Sequence, residues 1–170
     1  MDVAQAIRDK HAIRSFLPQP IPDSAAREIL LAGRRAQSSK NTQPWQFIAV
    51  RDRAALEQLS QAGRYAGHVA GAALCVVVAM PDPAQKVTVA FDAGQAAAYM
   101  QLAAWELGIG SCLASLYEVD LVRKILGIPA EWFPHVGISF GYFDPDRQPP
   151  SGVLHPGRKR LEEIVHWEKW

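Results

Sequence analysis

A continuous apolar run near the middle of the chain constrains the fold most. The letters ALCVVVAM, residues 73–80, are rich in β-branched residues and end at Pro81, which is typical of a buried β-strand. The Ala-rich residues 91–108 predict a helix of about four turns that stops at Gly108. Because strands alternate with helices, the class is α/β or α+β. Few strands beside long helices favour a small sheet wrapped by helices.

The remaining elements are shorter and keep the same alternation. Asp2 predicts the N-cap of a first helix with Val3, Ala6 and Ile7 on one face. Further helices are predicted over residues 24–35, 52–63 and 120–126, and further strands over residues 47–50, 111–115 and 135–142.

The C-terminal residues have a different composition. Residues 144–157 are rich in Pro, Gly and polar residues, whereas the final run RLEEIVHWEKW carries Leu161, Ile164, Val165 and Trp167. An extended arm with an apolar end has little to bury against on a small domain. We therefore expect residues 1–143 to form one domain and residues 144–170 to form an arm that docks on a partner subunit.

Composition excludes several classes of protein. The formal net charge is +1, so no global field favours nucleic acid or an anionic membrane as a partner. The longest apolar run is too short to span a bilayer, and residues 1–16 lack the apolar region of a signal peptide. Cys75 and Cys112 form no CxxC and no zinc spacing, and Cys75 is expected to be a buried free thiol. A reducing, cytoplasmic setting fits this cysteine usage.

Common catalytic motifs are missing from the sequence. The histidines are scattered without HExxH spacing, so we expect no metal site. There is no nucleophile triad, no GxGxxG after a strand and no P-loop lysine. Chemistry must therefore come from basic and polar clusters or from a bound cofactor.

Three clusters remain, and each has a simpler alternative. In DKHAIRSF, the spacing puts Lys10 and Arg14 on one face at the end of the first helix, where they could hold an anionic ligand, but cations at a helix C-terminus also suit the helix dipole. GRKR, residues 157–160, could bind an anion or be a solvated charge run. In QSSKNTQPWQF, residues 37–47, the polar side chains could face a ligand or only satisfy the local turn.

Taken in order, these clusters resemble the nitroreductase family of FMN-dependent oxidoreductases. The family's first helix ends in a motif like R-R-S-I-R-x-F, which reads KHAIRSF at residues 10–16. A loop like A-P-S-x-x-N-x-Q-P-W-x-F follows as AQSSKNTQPWQF at residues 36–47. Later come LGIGS at residues 107–111, then LGIP, FGY and RKRLEEIVH. The resemblance covers essentially the whole chain.

The resemblance implies a fold and an assembly. It implies an α+β, three-layer nitroreductase-like fold with a small, mostly antiparallel sheet wrapped by helices. It also implies a homodimer with FMN at the subunit interface and with the C-terminal arms exchanged. NAD(P)H is the implied co-substrate, and neither nucleic acid nor a membrane is an implied partner.

The resemblance also assigns the cofactor-binding residues. Lys10, His11 and Arg158 would reach the FMN phosphate, and Arg14 would lie near the pyrimidine edge of the flavin. The serine loop would approach from the other subunit. Backbone groups around the end of the third predicted strand would lie near flavin N5, and Arg64 is a further ligand for the ribityl chain or the pyrimidine. The loop and strand residues are Ser38, Ser39, Asn41, Leu113, Ala114, Ser115 and Leu116.

The chain departs from the family pattern at several positions. Ala12 replaces the motif's serine, so one phosphate hydrogen bond is missing, and Gln37 replaces a proline of the loop. Arg160 replaces the proline usual in R-K-P-L and could add a cation. The strand CLAS, residues 112–115, lacks the usual aromatic residue, which predicts a different substrate pocket.

The implied activity is transfer of hydride from NAD(P)H through flavin N5 to a small conjugated acceptor such as a nitroaromatic or a quinone, in ping-pong turnover. No catalytic side chain is predicted, because FMN carries the chemistry. Two alternatives stay open. One is a family branch with other flavin chemistry, reductive dehalogenation or flavin fragmentation, although 170 residues leave little room for the lid of those branches. The other is a non-enzymatic flavin-binding protein.

Overall fold

An antiparallel sheet forms the centre of the structure, a computed structural model that describes residues 2–147 and 157–170. The strand order is β1-β2-β4-β3, and each neighbouring pair is antiparallel. The strands are β1 (Gln46–Val50), β2 (Leu74–Met80), β3 (Gly110–Ser115) and β4 (Phe133–Gly141). The helices are α1 (Val3–Asp9), α2 (Asp23–Arg34), α3 (Arg53–Leu59), α4 (Thr88–Glu106) and α5 (Val119–Leu126).

Strand β2 is buried along its whole length because helices cover both faces of the sheet. Leu74, Val76 and Val78 belong to the core on the side of α2 and α4. Cys75 and Val77 belong to a second core, on the side of α3 and α5. Alternate side chains of a strand point to opposite faces, so a strand between two helical layers reads as a continuous apolar run. The predicted α+β class with a small antiparallel sheet is confirmed.

Aspartate side chains cap the starts of α1 and α3, close to where the sequence predicts these helices to begin. The Asp2 carboxylate accepts a hydrogen bond from the Gln5 amide at 2.7 Å, and the Asp52 carboxylate accepts one from the Ala55 amide at 2.8 Å. Helix α4 begins at Thr88, three residues before the prediction, because Val89 packs into the first core and extends the helix beyond its Ala-rich part.

The basic motif lies on an extended segment, which corrects the prediction that Lys10 and Arg14 share a helix face. Helix α1 ends at Asp9, and an isolated parallel bridge then pairs Ala12 with Ser111 of β3. The Ile13 amide donates to the Ser111 carbonyl at 3.0 Å. Alternate residues share a side in extended backbone, so Lys10 and Arg14 still lie on the same side of the segment.

Glycine allows close packing at both ends of β3. A Cβ atom at Gly110 would lie 2.7 Å from Cγ1 of Ile13. Because glycine has no Cβ, the basic segment can lie against the strand. At the other end, a Cβ on Gly63 would overlap the Ser115 carbonyl oxygen. Because the chain must turn to bring Gly63 onto β3, α3 ends at Leu59 and not near Gly63 as predicted.

The predicted arm is described only in part, since residues 148–156 lie outside the described residues. The segment 157–170 contains one 3-10 turn, Leu161–Glu163. Leu161, Ile164 and Trp167 are exposed, with 82% of Trp167 accessible. The docking of these side chains on a partner subunit stays a prediction.

No helix within residues 2–147 and 157–170 has the length and apolar character needed to cross a membrane.

The contact at Gly63 predicts a matched pair of stability effects. Gly63→Ala should lower the free energy of unfolding by about 1–3 kcal/mol, because the new methyl group meets backbone that cannot rotate away. Gly67→Ala is the control, since its added Cβ meets nothing within 4 Å. Urea unfolding of both variants measures the difference, and equal stabilities would contradict the close approach to β3.

Candidate functional site

Lys10 and Arg14 lie beside Cys112 at the start of β3. Burial lowers the pKa of the Lys10 ammonium, and the nearby Cys112 opposes that change. Burial raises the pKa of the Cys112 thiol, and the charges of Arg14 and Lys10 oppose it. These interactions place Lys10 and Arg14 next to the Cys112 side chain of β3.

The Lys10 ammonium has no carboxylate partner among residues 2–147 and 157–170. It is nevertheless half-buried, and burial disfavours its charged form. A partly desolvated cation without an anion is unfavourable in the folded protein. A bound anion at this position would remove that cost.

His68 joins the same cluster from the 3-10 turn Gly67–Gly71. Its Nδ1 lies 2.8 Å from the Ser139 hydroxyl, which in turn donates to the Cys112 carbonyl at 3.2 Å. Burial lowers the pKa of His68, the charge of Arg14 lowers it further, and the Leu113 carbonyl opposes both. Sequence reasoning missed His68 because nothing in its local pattern links it to Arg14.

His11 contacts the far end of helix α4. Its Nδ1 lies 2.9 Å from the Asp9 carbonyl, and its ring meets Trp105 edge-on at 5.2 Å between centroids. Trp105 also stacks on Phe143 at 5.6 Å. His11 is exposed, so its imidazole is available at the C-terminal end of α4 next to the basic segment.

The four residues predicted to lie near flavin N5, at the end of β3 and just after it, divide into two pairs. The side chains of Ala114 and Leu116 are buried in the second core, whereas Leu113 is 50% accessible and Ser115 is exposed. The Ser111 carbonyl accepts from the Ile13 amide and therefore points away from β4. The backbone N–H and C=O groups of successive residues in a strand point to alternate sides, so those of Leu113 and Ser115 also face the sheet edge. The backbone groups of two of the four residues therefore face the sheet edge, and their predicted contact with flavin N5 stays a prediction.

Arg64 follows Gly63 and so lies near the end of β3. Its guanidinium carbon is 5.4 Å from the centroid of the exposed Tyr65 ring, a cation–π contact. Arg158 is exposed in the segment 157–170, and its predicted contact with the FMN phosphate stays a prediction. The predicted extra cation Arg160 pairs with Glu162 at 3.5 Å.

The polar loop has a strained backbone held by a buried carboxylate. Lys40, Asn41 and Gln43 all have positive φ, between 47° and 54°. The Ser39 amide lies 3.2 Å from each carboxylate oxygen of Asp92, a buried residue of α4. This contact fixes the position of the loop, and a carboxylate within an Ala-rich helix was not predicted to have that role.

Local turn chemistry accounts for part of the loop only. The Ser38 hydroxyl accepts from the Gln43 amide at 2.9 Å, whereas Ser39 and Asn41 remain exposed. Trp45 is buried in the first core and stacks on Phe47 at 6.2 Å. Trp45 and Phe47 therefore anchor the loop to the core, while its polar half stays outside.

The basic segment and the polar loop lie at opposite ends of helix α4. Asp92 holds Ser39 near the start of the helix, and Trp105 meets His11 near its end. The positions of Asp92 and Trp105 are separated by about 20 Å along the helix axis. One chain therefore presents two candidate half-sites, one cationic and one lined by hydroxyl and amide groups.

The profile of the Nitroreductase family matches residues 7–66 and 60–142. The chain belongs to the nitroreductase family. The resemblance that the motifs predicted is confirmed, and the match includes the basic segment, the polar loop and strand β3.

Relatives of this nitroreductase-family chain match it over nearly its whole length. A protein of Archaeoglobus fulgidus, provisionally described as an NADH dehydrogenase/NAD(P)H nitroreductase, is 31% identical over 96% of this chain and 96% of its own. A protein of Methanothermobacter thermautotrophicus with the same description is 28% identical over 100% of this chain and 88% of its own. The solved structure of an FMN-dependent nitroreductase from Clostridium difficile has a TM-score of 0.84 and 26% identity, and covers 99% of this chain and 100% of its own.

Proposed function

We propose that the protein is an FMN-dependent oxidoreductase that uses NAD(P)H to reduce a small conjugated acceptor such as a nitroaromatic or a quinone. The observation that carries this proposal is the half-buried Lys10 ammonium, which has no carboxylate partner in the described part of the chain and lies near Arg14 on the segment that the family profile matches. Family membership and the relatives named for FMN and NAD(P)H support the same class.

The residues present fit the chemical groups of FMN. Lys10, with His11 and Arg158, would hold the phosphate, because charge-assisted contacts to phosphate are the strong ones. Arg14 would lie at the pyrimidine edge, where a cation stabilises the negative charge that reduction adds. The edge backbone groups of Leu113 and Ser115 would bind the ring. When bound, the flavin supplies the redox chemistry, taking hydride from NAD(P)H and delivering it to the acceptor.

No side-chain acid or base is needed in this scheme. The protein binds the flavin, orients it and leaves one face open to NAD(P)H and acceptor in turn, which corresponds to ping-pong kinetics. Leu113, half-exposed beside the edge backbone groups, is positioned to contact whichever substrate occupies that face. The small side chain of Ser115, exposed on the same side of β3 as Leu113, leaves room there for a flat aromatic acceptor.

Completing the site requires a second copy of the chain. The exposed face of α4 is uncharged at Phe91, Gly94, Ala98 and Tyr99, with 73% of Phe91 accessible. A second α4 packed on this face would bring the polar loop of one chain toward the basic segment of the other. Ser38, Ser39 and Asn41 would then face the flavin from the partner, and the apolar side chains of the C-terminal arm would dock on the partner as well.

A flavin assay tests the proposal directly. Purified protein should bind FMN, and anaerobic stopped-flow mixing with NADH or NADPH should bleach the flavin absorbance. A nitroaromatic or quinone should then restore the absorbance. Protein that takes up no FMN, or bound flavin that neither donor bleaches, would contradict the assignment.

Lys10→Met should have opposite effects on stability and on FMN affinity. Loss of the unpaired ammonium should raise the free energy of unfolding of the flavin-free protein by about 0.5–1 kcal/mol at pH 7. Loss of a phosphate contact should weaken FMN binding by about 1.5–3 kcal/mol, which is more than tenfold in Kd. Because the pKa of Lys10 is lowered in the folded state, the stability gain should be full at pH 7 and should vanish as the pH rises through 10.5.

Lys124→Met, at an exposed lysine of α5, is the matched control. Denaturant unfolding and fluorescence titration with FMN measure the two quantities. A Lys10 variant that retains wild-type affinity for FMN would remove Lys10 from the site.

Ala98→Glu should separate the dimer and release the flavin, because it places a charge in the middle of the apolar α4 face. Ala54→Glu introduces the same side chain at an exposed position of α3 and should change neither property. Analytical ultracentrifugation and the ratio of bound flavin to protein report the outcome. A dimeric, yellow Ala98→Glu variant would place the interface elsewhere.

A further inference from the structure

The proposed function leaves one group in the basic cluster without a role, the imidazole of His68. It is half-buried between the basic segment and β4, and Ser139, its hydrogen-bond partner, is fully buried. Histidine is the side chain whose ordinary pKa lies closest to neutrality, so small changes of nearby charge alter its protonation. Such a group beside a redox cofactor can exchange a proton with each change of cofactor charge.

The hydrogen bonds determine which nitrogen carries the proton. Ser139 has one hydroxyl proton, and it donates that proton to the Cys112 carbonyl, which can only accept. The Ser139 oxygen must therefore accept from His68, so Nδ1 of the neutral ring carries hydrogen. Nε2 is then the basic atom. Protonation at Nε2 leaves the Nδ1–Ser139–Cys112 chain of hydrogen bonds unchanged.

The surrounding groups keep His68 neutral until negative charge arrives. Burial and the Arg14 guanidinium lower its pKa, against the smaller effect of the Leu113 carbonyl. Burial raises the pKa of the Cys112 thiol, and it raises that of the Cys75 thiol, opposite Ser139 in the sheet, to about 12. Neither thiol therefore supplies a negative charge at neutral pH.

Two further cations lie near this turn. Lys10 lies beside Cys112, and Arg53 of α3 donates to the carbonyl of Ala70 within the turn and to that of Ala72 just after it. Negative charge added beside Arg14 would offset this cationic field. The proton affinity of His68 Nε2 would rise in response.

We propose that His68 compensates the charge of flavin reduction: Nε2 takes one proton from solvent as negative charge develops beside Arg14, and returns it when the acceptor is reduced. This inference rests on the proposed function. One proton is bound for each two-electron reduction and one is released for each reoxidation, so charge and protons balance over a cycle. Ser139 is a positioning residue in this scheme, because it acts only through the His68 ring.

Proton NMR of the FMN-loaded protein tests the inference. The pKa of His68 should lie below 6.5 with oxidised flavin, since burial and Arg14 both lower it. After anaerobic reduction with dithionite the pKa should rise by at least about one unit, a tenfold gain in proton affinity. An equal pKa in the two redox states overturns the inference. His166→Gln, which removes an exposed imidazole, assists the assignment of the signals.

Spectroelectrochemistry gives a second readout. At pH values between the two pKa values of His68, the midpoint potential of the wild type should fall with pH more steeply than that of His68→Gln. The expected difference in slope is about 30 mV per pH unit, because one extra proton is bound in a two-electron couple. Ser139→Ala should keep a titrating ring and most of the extra slope. Identical slopes in the wild type and His68→Gln overturn the proposal.

The outcomes separate this inference from the proposed function. Protein that binds no FMN contradicts the function itself. Protein that binds FMN and is bleached by NAD(P)H, but whose His68 has the same pKa in both states, contradicts only the role of His68.

Discussion

The backbone pairing between the basic segment and β3 is the contact on which the site depends. The Ile13 amide bonds to the Ser111 carbonyl at 3.0 Å, and this pairing sets the register of Lys10 and Arg14 against Cys112. The pairing is possible because Gly110 leaves space for Ile13. A shift of one residue would turn Lys10 and Arg14 to the opposite side of the segment. The electrostatics of the cluster follow from this one register.

Helix α4 organises the rest of the site by its length. Its buried Asp92 holds the polar loop near one end, and Trp105 meets His11 near the other. One chain therefore cannot bring both half-sites to the same small molecule. The uncharged face of α4 is exposed. The helix that separates the two half-sites within one chain therefore also offers a surface for a second chain.

Patterns that depend on neighbouring residues were read correctly from the sequence. The caps at Asp2 and Asp52, the buried strand β2 and the anchoring Trp45 all depend on short-range chemistry or on apolar periodicity. Interactions between distant residues were missed. Neither the support of Ser39 by Asp92 nor the link between His68 and Arg14 leaves a local signal, because each joins residues more than fifty positions apart.

The sequence by itself determined the class of fold and the family, since an apolar strand between helices and three spaced motifs leave few alternatives. It also named Lys10 and Arg14 as candidate cations of a binding site. Only the tertiary structure decided their environment, because burial and pairing depend on which distant elements meet. Lys10 is half-buried without a carboxylate among the described residues, and His68 is held by Ser139, through packing that no local pattern encodes.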